Sequence, residues 1–158
     1  YDDLVIGAPG YATGSSAEGL VAVFSGPLAA GTADLSTADA RIVGDQPGDR
    51  LGEALAADGD MTGDGKVDVW MSATYNDQAA SNAGAAALFY GPVSGALTMT
   101  DGDFRLFGEA VEDKAGVGIS SGGDVNGDGV IDTLMTAASS DRGASEGGAA
   151  YLVFGTGL

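Results

Sequence analysis

The sequence predicts an all-β protein built from repeated units of four short strands, and three observations carry that prediction. Apolar residues make up 44% of the 158 residues, which is enough for a packed core. The 28 glycines show no triplet period and indicate many turns between short strands. The chain also repeats itself when it is shifted by 64 positions. Four strands in a repeat of this length are typical of one blade of a β-propeller.

The repeat aligns without gaps over its second and third copies. Residues 41–44 fall on 105–108, and residues 60–68 fall on 124–132. A first copy at the start of the chain is shifted by 65 positions, which implies one extra residue in a surface loop. In that copy Asp3, Gly19 and Gly26 match Asp68, Gly84 and Gly91.

The second copy predicts four strands, at 51–57, 69–74, 85–90 and 104–107. Each is short and bounded by Gly, Asp, Asn or Ser. The alanine-rich third segment could be helical by propensity, but its counterparts in the other copies are rich in Val, Leu and aromatic residues, so a strand is favoured. A solenoid or a β-sandwich is the structural alternative, although a sandwich rarely repeats its sequence so strictly.

The predicted organisation is a single β-propeller domain over 1–158, of about two and a half blades. Residues 1–50 form a partial blade, 51–108 a complete four-stranded antiparallel blade, and 115–158 another partial blade. Propeller blades need neighbours to cover their faces. We therefore expect either an excerpt of a longer protein, which is favoured, or several copies that assemble.

Charge and composition disfavour several classes of function. The net charge is −17, from 23 acidic and 6 basic residues, and such a surface repels nucleic acid and anionic membranes. The chain has no Cys and no His, which removes thiolate chemistry and the commonest general base. No stretch is long and apolar enough for membrane insertion as a helix. The acidity fits either a solvated face or cation binding.

Two copies carry nearly the same acidic loop between their first and second strands. Residues 60–68 read Asp-Met-Thr-Gly-Asp-Gly-Lys-Val-Asp, and residues 124–132 read Asp-Val-Asn-Gly-Asp-Gly-Val-Ile-Asp. Oxygen-bearing side chains stand at loop positions one, three, five and nine, and the carbonyl at position seven can face inward. Because Ca²⁺ is held by several such oxygens, the two loops predict calcium sites. An ordinary turn rich in Asp, Asn and Gly is the plainer alternative.

The EF-hand is the nearest competing calcium loop. It needs a bidentate acid at position twelve, whereas that position here is Met71 or Met135, each in an apolar strand. No amphipathic helix flanks either loop, so a helical pair is disfavoured. Mg²⁺ is disfavoured as well, because it demands tight octahedral geometry and retains its waters.

Together these features resemble the FG-GAP repeats of the integrin α-subunit propeller. The Gly-Ala-Pro of that name stands at 7–9, and the pattern Asp-x-Asn-x-Asp-Gly-x-x-Asp matches fully at 124–132. The later copies depart from it, with Ser-Ala-Thr at 72–74, Thr-Ala-Ala at 136–138, and Leu-Gly in place of Phe-Gly at 51–52. The resemblance covers the whole chain and implies blades of the integrin-α N-terminal type.

The resemblance also implies the ligands of two calcium ions. Each ion would be held by four side chains and by the backbone carbonyl of Lys66 or Val130. Asp3 matches the last ligand of a further loop. The implied ligands are Asp60, Thr62, Asp64, Lys66 and Asp68 for one ion, and Asp124, Asn126, Asp128, Val130 and Asp132 for the other.

In integrin-like propellers the calcium loops lie on one face and the ligand-contacting loops on the other. By position, the latter are 10–18, 75–83, 139–147, 45–50 and 109–114. The resemblance implies a protein or carbohydrate ligand on that face, and the rest of the propeller, from the same chain or from other copies, as a second partner. Tyr and Arg are common anchors for ligands. The side chains considered for contact are Tyr11, Tyr75, Asn76 and Arg142.

Three functions remain as expectations. The first is a calcium-binding adhesion or protein-interaction module, extracellular or at the cell surface, in which Ca²⁺ is structural. The second is the non-catalytic propeller region of a larger secreted enzyme. Residues 118–122 match Gly-x-Ser-x-Gly around Ser120, but they align with a first strand and no His is present, so no catalytic residue is predicted. The third is a self-assembling structural surface protein, because exposed strand edges recruit other copies.

Overall fold

A computed structural model describes residues 2–14, 16–31 and 34–155. Position 15 of the predicted 10–18 loop, and residues 1, 32, 33 and 156–158 of the two predicted partial blades, lie outside the described residues. Within those ranges the chain forms strands and two 3-10 turns but no α-helix, so the all-β prediction is confirmed. None of the described segments forms a helix that could cross a membrane.

The strands are four to nine residues long. Alternating or continuous apolar runs form each of them, and Gly, Asp and Pro residues bound them. In chain order they are β1 (Leu4–Ala8), β2 (Leu20–Phe24), β3 (Ala40–Val43), β4 (Leu55–Gly59), β5 (Asp68–Ala73), β6 (Ala85–Phe89), β7 (Gly95–Thr98), β8 (Phe104–Phe107), β9 (Ala115–Gly123), β10 (Asp132–Ala137) and β11 (Ala149–Val153).

The described strands form three sheets, none of which closes on itself. Sheet 1 has the order β1-β2-β3-β7, sheet 2 the order β4-β5-β6-β8, and sheet 3 the order β11-β10-β9. All neighbours are antiparallel except β3 and β7, which pair in parallel. Sheet 2 therefore contains the four-stranded antiparallel unit expected within residues 51–108, and its last strand has the predicted bounds.

Two details differ from the prediction. The first strand of sheet 2 begins at Leu55 and not at residue 51, because Leu51 instead forms a bridge with Gly19. Gly52 follows in a left-handed conformation with φ of 95°. β7 was not predicted, since its segment Gly-Ala-Leu-Thr is short and pairs with the edge of another sheet rather than with its sequence neighbours.

Sheet 2 packs between sheets 1 and 3. One of its faces contributes Met71 to an apolar cluster with Val21 and Ile42 of sheet 1. Its opposite face contributes Trp70 and Leu88 to a second cluster with Met135 of sheet 3. This double coverage explains why every residue of β5 and β6 is buried, a pattern typical of strands covered on both faces.

Candidate metal centre

The loop at 60–68 connects β4 to β5 at one end of sheet 2. It wraps around the carboxylate of Asp60, whose Oδ1 accepts the backbone N–H of Gly63 at 2.7 Å and whose Oδ2 accepts that of Gly65 at 2.7 Å. Gly63 and Gly65 have φ of 76° and 85°, a left-handed conformation that glycine adopts without strain. The alternation of glycines in the motif thus produces a tight turn around the first aspartate.

The loop at 124–132 folds in the same way between β9 and β10. Asp124 Oδ1 accepts the N–H of Gly127 at 2.6 Å, and its Oδ2 accepts the N–H of Gly129 at 2.8 Å. Those two glycines have φ of 81° and 88°. Two segments separated by 64 positions therefore reach the same backbone geometry, so the sequence repeat is also a structural repeat.

The last aspartate of each loop fastens the loop to the next strand end. Asp68 is 2% exposed; its Oδ2 accepts the N–H of Met61 at 2.8 Å, and its Oδ1 accepts that of Gly91 at 2.9 Å. Asp132 repeats this arrangement, with Val125 at 2.8 Å and Gly155 at 3.0 Å. Buried carboxylates are stable only when paired or hydrogen-bonded, and these backbone donors supply the partners.

Asp3 occupies the corresponding place at the start of β1. Its Oδ1 accepts the N–H of Gly26 at 2.8 Å, as Asp68 accepts the N–H of Gly91. Unlike Asp68, Asp3 is exposed. Among the described residues no N–H donates to its second oxygen. Asp3 therefore accepts a backbone N–H at one oxygen, whereas Asp68 and Asp132 accept backbone N–H groups at both.

The remaining predicted ligands lie on the exposed rims of the loops. Asp64 Oδ2 accepts the Lys66 ammonium at 2.7 Å, and Asp128 Oδ2 accepts the Asn126 amide at 2.8 Å. The Thr62 hydroxyl donates to Asp60 Oδ1 at 3.2 Å. The side chains at positions one and three therefore contact each other in the first loop, and those at positions three and five do so in the second.

The donor set suits a hard cation. It consists of carboxylate, amide, hydroxyl and carbonyl oxygens, without nitrogen or sulfur, which is the preference of Ca²⁺. Among the described residues, no three His, Cys, Asp or Glu side chains form a group arranged to hold a metal, since the first aspartates face backbone amides and Asp64 faces Lys66. A carboxylate oxygen has two lone pairs. Because Asp60 Oδ1 accepts three donors and Asp124 Oδ1 two, whereas each Oδ2 accepts one, the remaining acceptor capacity of the first aspartates lies at Oδ2.

The electrostatics of the first loop favour ionised carboxylates. The backbone N–H of Gly65 is the main cause that lowers the pKa of Asp60 below its usual value, and the N–H groups of Gly63 and Asp64 add to it against the opposing effect of burial. A hydrogen bond from the Lys66 side chain lowers the pKa of Asp64. Both groups are therefore anionic at neutral pH, the state in which a carboxylate binds a cation.

The opposite ends of the sheets carry the loops predicted to contact a ligand. Three of these loops converge at Tyr75, whose ring centroid lies 4.8 Å from Arg50 Cζ and 5.5 Å from Lys114 Nζ. Such contacts are favourable cation–π geometries. Tyr11 contacts Arg41, which donates to its hydroxyl at 3.0 Å. The structure thus brings an aromatic side chain from one loop together with two cations from the loops that join successive sheets.

Two of the other side chains considered for ligand contact have local partners. Asn76 is 1% exposed and donates to Asp49 Oδ2 at 3.1 Å, so it is a packing residue and not a surface contact. Arg142 is exposed and pairs with Glu109 at 2.8 Å. Burial raises the pKa of Asp49, and the Asn76 amide partly compensates by stabilising the charged form.

Sequence reasoning missed the role of Met61, the second residue of its loop. It is 1% exposed, and its sulfur accepts from Trp70 Nε1 at 2.8 Å and from Thr133 Oγ1 at 3.0 Å. An apolar residue inside an otherwise polar loop was the available signal.

Ser120, at the centre of the Gly-x-Ser-x-Gly match at 118–122, lies within β9 opposite Leu134, as its alignment with a first strand predicted. No protein-family model matches the chain, and no curated protein matches it significantly.

Proposed function

We propose that this chain is part of an extracellular, calcium-binding β-propeller of the integrin-α-like, FG-GAP type, and that it serves in adhesion or protein interaction. In this proposal one Ca²⁺ binds in each of the loops 60–68 and 124–132 and has a structural role. The ion would neutralise the acidic loop and fix the connection between the first and second strands of a blade. No group in the chain is assigned a catalytic role.

One observation supports the calcium proposal above all: the two acidic loops fold alike around their first aspartate. In each, the N–H groups of the glycines at positions four and six donate to the first aspartate, and the last aspartate is fixed by backbone N–H groups. An ordinary turn needs one such side chain to cap it. Four oxygen-bearing positions at the same spacing in both loops exceed that need.

The propeller proposal is supported by the stacking of the sheets. Three successive sheets follow the repeat, each built mainly from strands that are neighbours in the chain, with β7 as an added edge strand of sheet 1, and sheet 2 buries both faces against the other two. Radially arranged blades have this relation to their neighbours. The acidic loops lie at one end of the sheets and the Tyr75 loops at the other, as the integrin-like arrangement requires.

Thermal unfolding tests the structural role of calcium. At a free Ca²⁺ concentration about a hundredfold above the dissociation constant, one occupied loop adds about 2.7 kcal/mol of stability. We expect the melting temperature to be about 5–10 °C higher in Ca²⁺ than in a chelator for a chain of this size. Asp128→Ala should reduce the shift, whereas Asp141→Ala, which alters an exposed loop at the other end, should not. Identical melting curves in Ca²⁺ and chelator would contradict the proposal.

The pH dependence of calcium binding follows from the direction of the pKa shifts. Because the pKa of Asp60 and that of Asp64 are lowered in the folded loop, both carboxylates are already ionised above 3.8, their ordinary value. Protons should therefore compete with Ca²⁺ only below that pH. We expect a calcium affinity that is constant from neutral pH down to about pH 5 and falls below about pH 4. Titrations across this range check it, and a loss of affinity between pH 7 and pH 5 would show that other groups bind the ion.

For the adhesion role, the surface around Tyr75 is the favoured contact area. It combines an aromatic ring with Arg50 and Lys114, two of the few cations in a strongly acidic chain. Aromatic residues and arginine dominate the energetics of many interfaces. Because Arg50 and Lys114 also pair with Glu53 and Glu112, this surface supports a protein or carbohydrate ligand without specifying its charge.

Self-assembly is a second candidate, and the outer face of sheet 3 favours it. Leu134, Leu152 and Phe154 on this face are 46%, 47% and 48% exposed. The same positions one repeat earlier are Trp70 and Leu88, at 1% and 0%, and the half-buried Tyr90. Apolar patches of this kind mark interaction surfaces.

A further inference from the structure

A cavity of about 540 Å³ lies between sheets 1 and 2, beside Asp3. We call this interface joint 1/2 and the interface between sheets 2 and 3 joint 2/3. Eight of the eleven residues that line the cavity are apolar, and Asp3 stands at its rim. The residues of the wall used below are Val5, Val23, Leu55 and Val69.

The same positions in joint 2/3 surround a side chain. By the repeat, Val5, Val23, Leu55 and Val69 correspond to Trp70, Leu88, Ile119 and Thr133. In joint 2/3 these residues pack around or bond to Met61, which is 1% exposed. The cavity in joint 1/2 therefore has the location and the apolar lining of the place that Met61 fills in joint 2/3.

At the opposite end of the two joints, joint 1/2 packs a methionine and joint 2/3 has the cavity. Met99 is 1% exposed and packs in joint 1/2 with Ile42 and Met71. A second cavity, of about 250 Å³, lies in joint 2/3 against Leu106 and Met135, the residues one repeat later. Each joint therefore packs a methionine at one end and has a cavity at the other. The cavity of one joint lies at the position that corresponds, by the repeat, to the packed methionine of the other joint.

The backbone beside the first cavity is open to pairing as well. Within the described chain, β5 pairs with β4 on one side and β10 pairs with β9, but β1 pairs only with β2. The second oxygen of Asp3, for which no described N–H is a donor, corresponds to the oxygen of Asp68 that accepts the N–H of Met61 at 2.8 Å. The unpaired edge of β1, the second carboxylate oxygen of Asp3 and the cavity in joint 1/2 therefore lie together.

We propose that this edge and this cavity form a docking site for an extended peptide segment of the same type as residues 54–66. The segment would add a strand antiparallel to β1, as β4 adds to β5. The apolar side chain that follows the first aspartate of its loop would fill the cavity, and the N–H of that residue would donate to Asp3. Strand addition with side-chain pockets is an established mode of peptide recognition. The proposal concerns peptide docking and does not require that the acidic loops bind calcium.

Disulfide trapping tests the docking site, because the chain contains no cysteine of its own. The probe is a synthetic peptide of residues 54–66 in which Cys, as a mixed disulfide with a small thiol, replaces Met61. The thiolate of a Val5→Cys chain attacks that disulfide and releases the small thiol. Val5 is chosen because its counterpart Trp70 contacts Met61. We expect adduct formation at least tenfold faster than with Ala79→Cys, a cysteine on an exposed loop.

Competition between the probe and free peptides measures the specificity of the site. An excess of the unmodified peptide should suppress the adduct, and a Met61→Asp version should be at least tenfold less effective. Ala57→Cys provides a second trapping position on the cavity wall if circular dichroism shows that Val5→Cys is not folded. Equal rates at the cavity and loop cysteines, or equal competition by the two peptides, would overturn the proposal. Trapping at the cavity in a chelator would support the docking site, and the calcium titration of the chain tests calcium binding separately.

Discussion

Replacing Asp68 by alanine is expected to lower the free energy of unfolding by roughly 3–5 kcal/mol, even in a metal-free buffer. The Asp68 carboxylate is 2% exposed and accepts the N–H groups of Met61, Thr62 and Gly91. Alanine leaves these donors without their partner in a largely buried place, and it detaches the loop from the strand end. Urea unfolding followed by Trp70 fluorescence measures the loss.

The repeat supplies matched controls for this variant. Asp132→Ala removes the equivalent contacts in sheet 3 and should also destabilise the chain strongly. Asp3→Ala removes one bond from an exposed side chain and should cost about 1 kcal/mol or less. If Asp68→Ala were as stable as the parent chain without metal, the carboxylate would have no structural role of its own.

Replacing Trp70 by alanine is expected to cost roughly 3–5 kcal/mol. Trp70 is 1% exposed, bonds to the sulfur of Met61 and meets the ring of Phe104 edge-on with centroids 6.1 Å apart. Its removal opens a large cavity in joint 2/3, where the two sheets meet. Thermal and urea unfolding by circular dichroism measure the effect, because the variant has no tryptophan.

Leu134→Ala is the matched control, since Leu134 holds the same position one repeat later but is 46% exposed. It should cost less than about 1 kcal/mol. Comparable losses for the two variants would mean that sheet 3 buries its outer face in solution. That result would point to association of the chain through this face.

Much of the fold could be predicted because the same pattern recurs. The alanine-rich run at 85–90 could not be assigned by itself, but its β-rich counterparts identify it as a strand, and the structure has β6 there. The parallel pairing of β7 with β3 could not be predicted, because it joins residues more than fifty positions apart and no local pattern specifies it. The late start of the first strand of sheet 2, at Leu55, could not be predicted either, since Leu51 pairs with Gly19, more than thirty positions away.

The acidic loops were placed correctly between first and second strands, because Asp, Asn and Gly specify turns locally. Their internal geometry was less predictable. The sequence did not indicate that the last aspartate would be buried and fixed by donors such as Gly91, more than twenty residues away. Nor did it indicate that Met61 would leave its own loop to pack between two sheets, which depends on residues of the next repeat such as Thr133.

Calorimetric titration of the metal-free chain with Ca²⁺ is the most direct test of the central claim. The account predicts saturable binding of about two ions per chain, one for each fully formed loop. Asp128→Ala should abolish one site, and the Asp64→Ala, Asp128→Ala double variant should abolish both. Absence of saturable binding at millimolar Ca²⁺, or unchanged binding by the double variant, would contradict it.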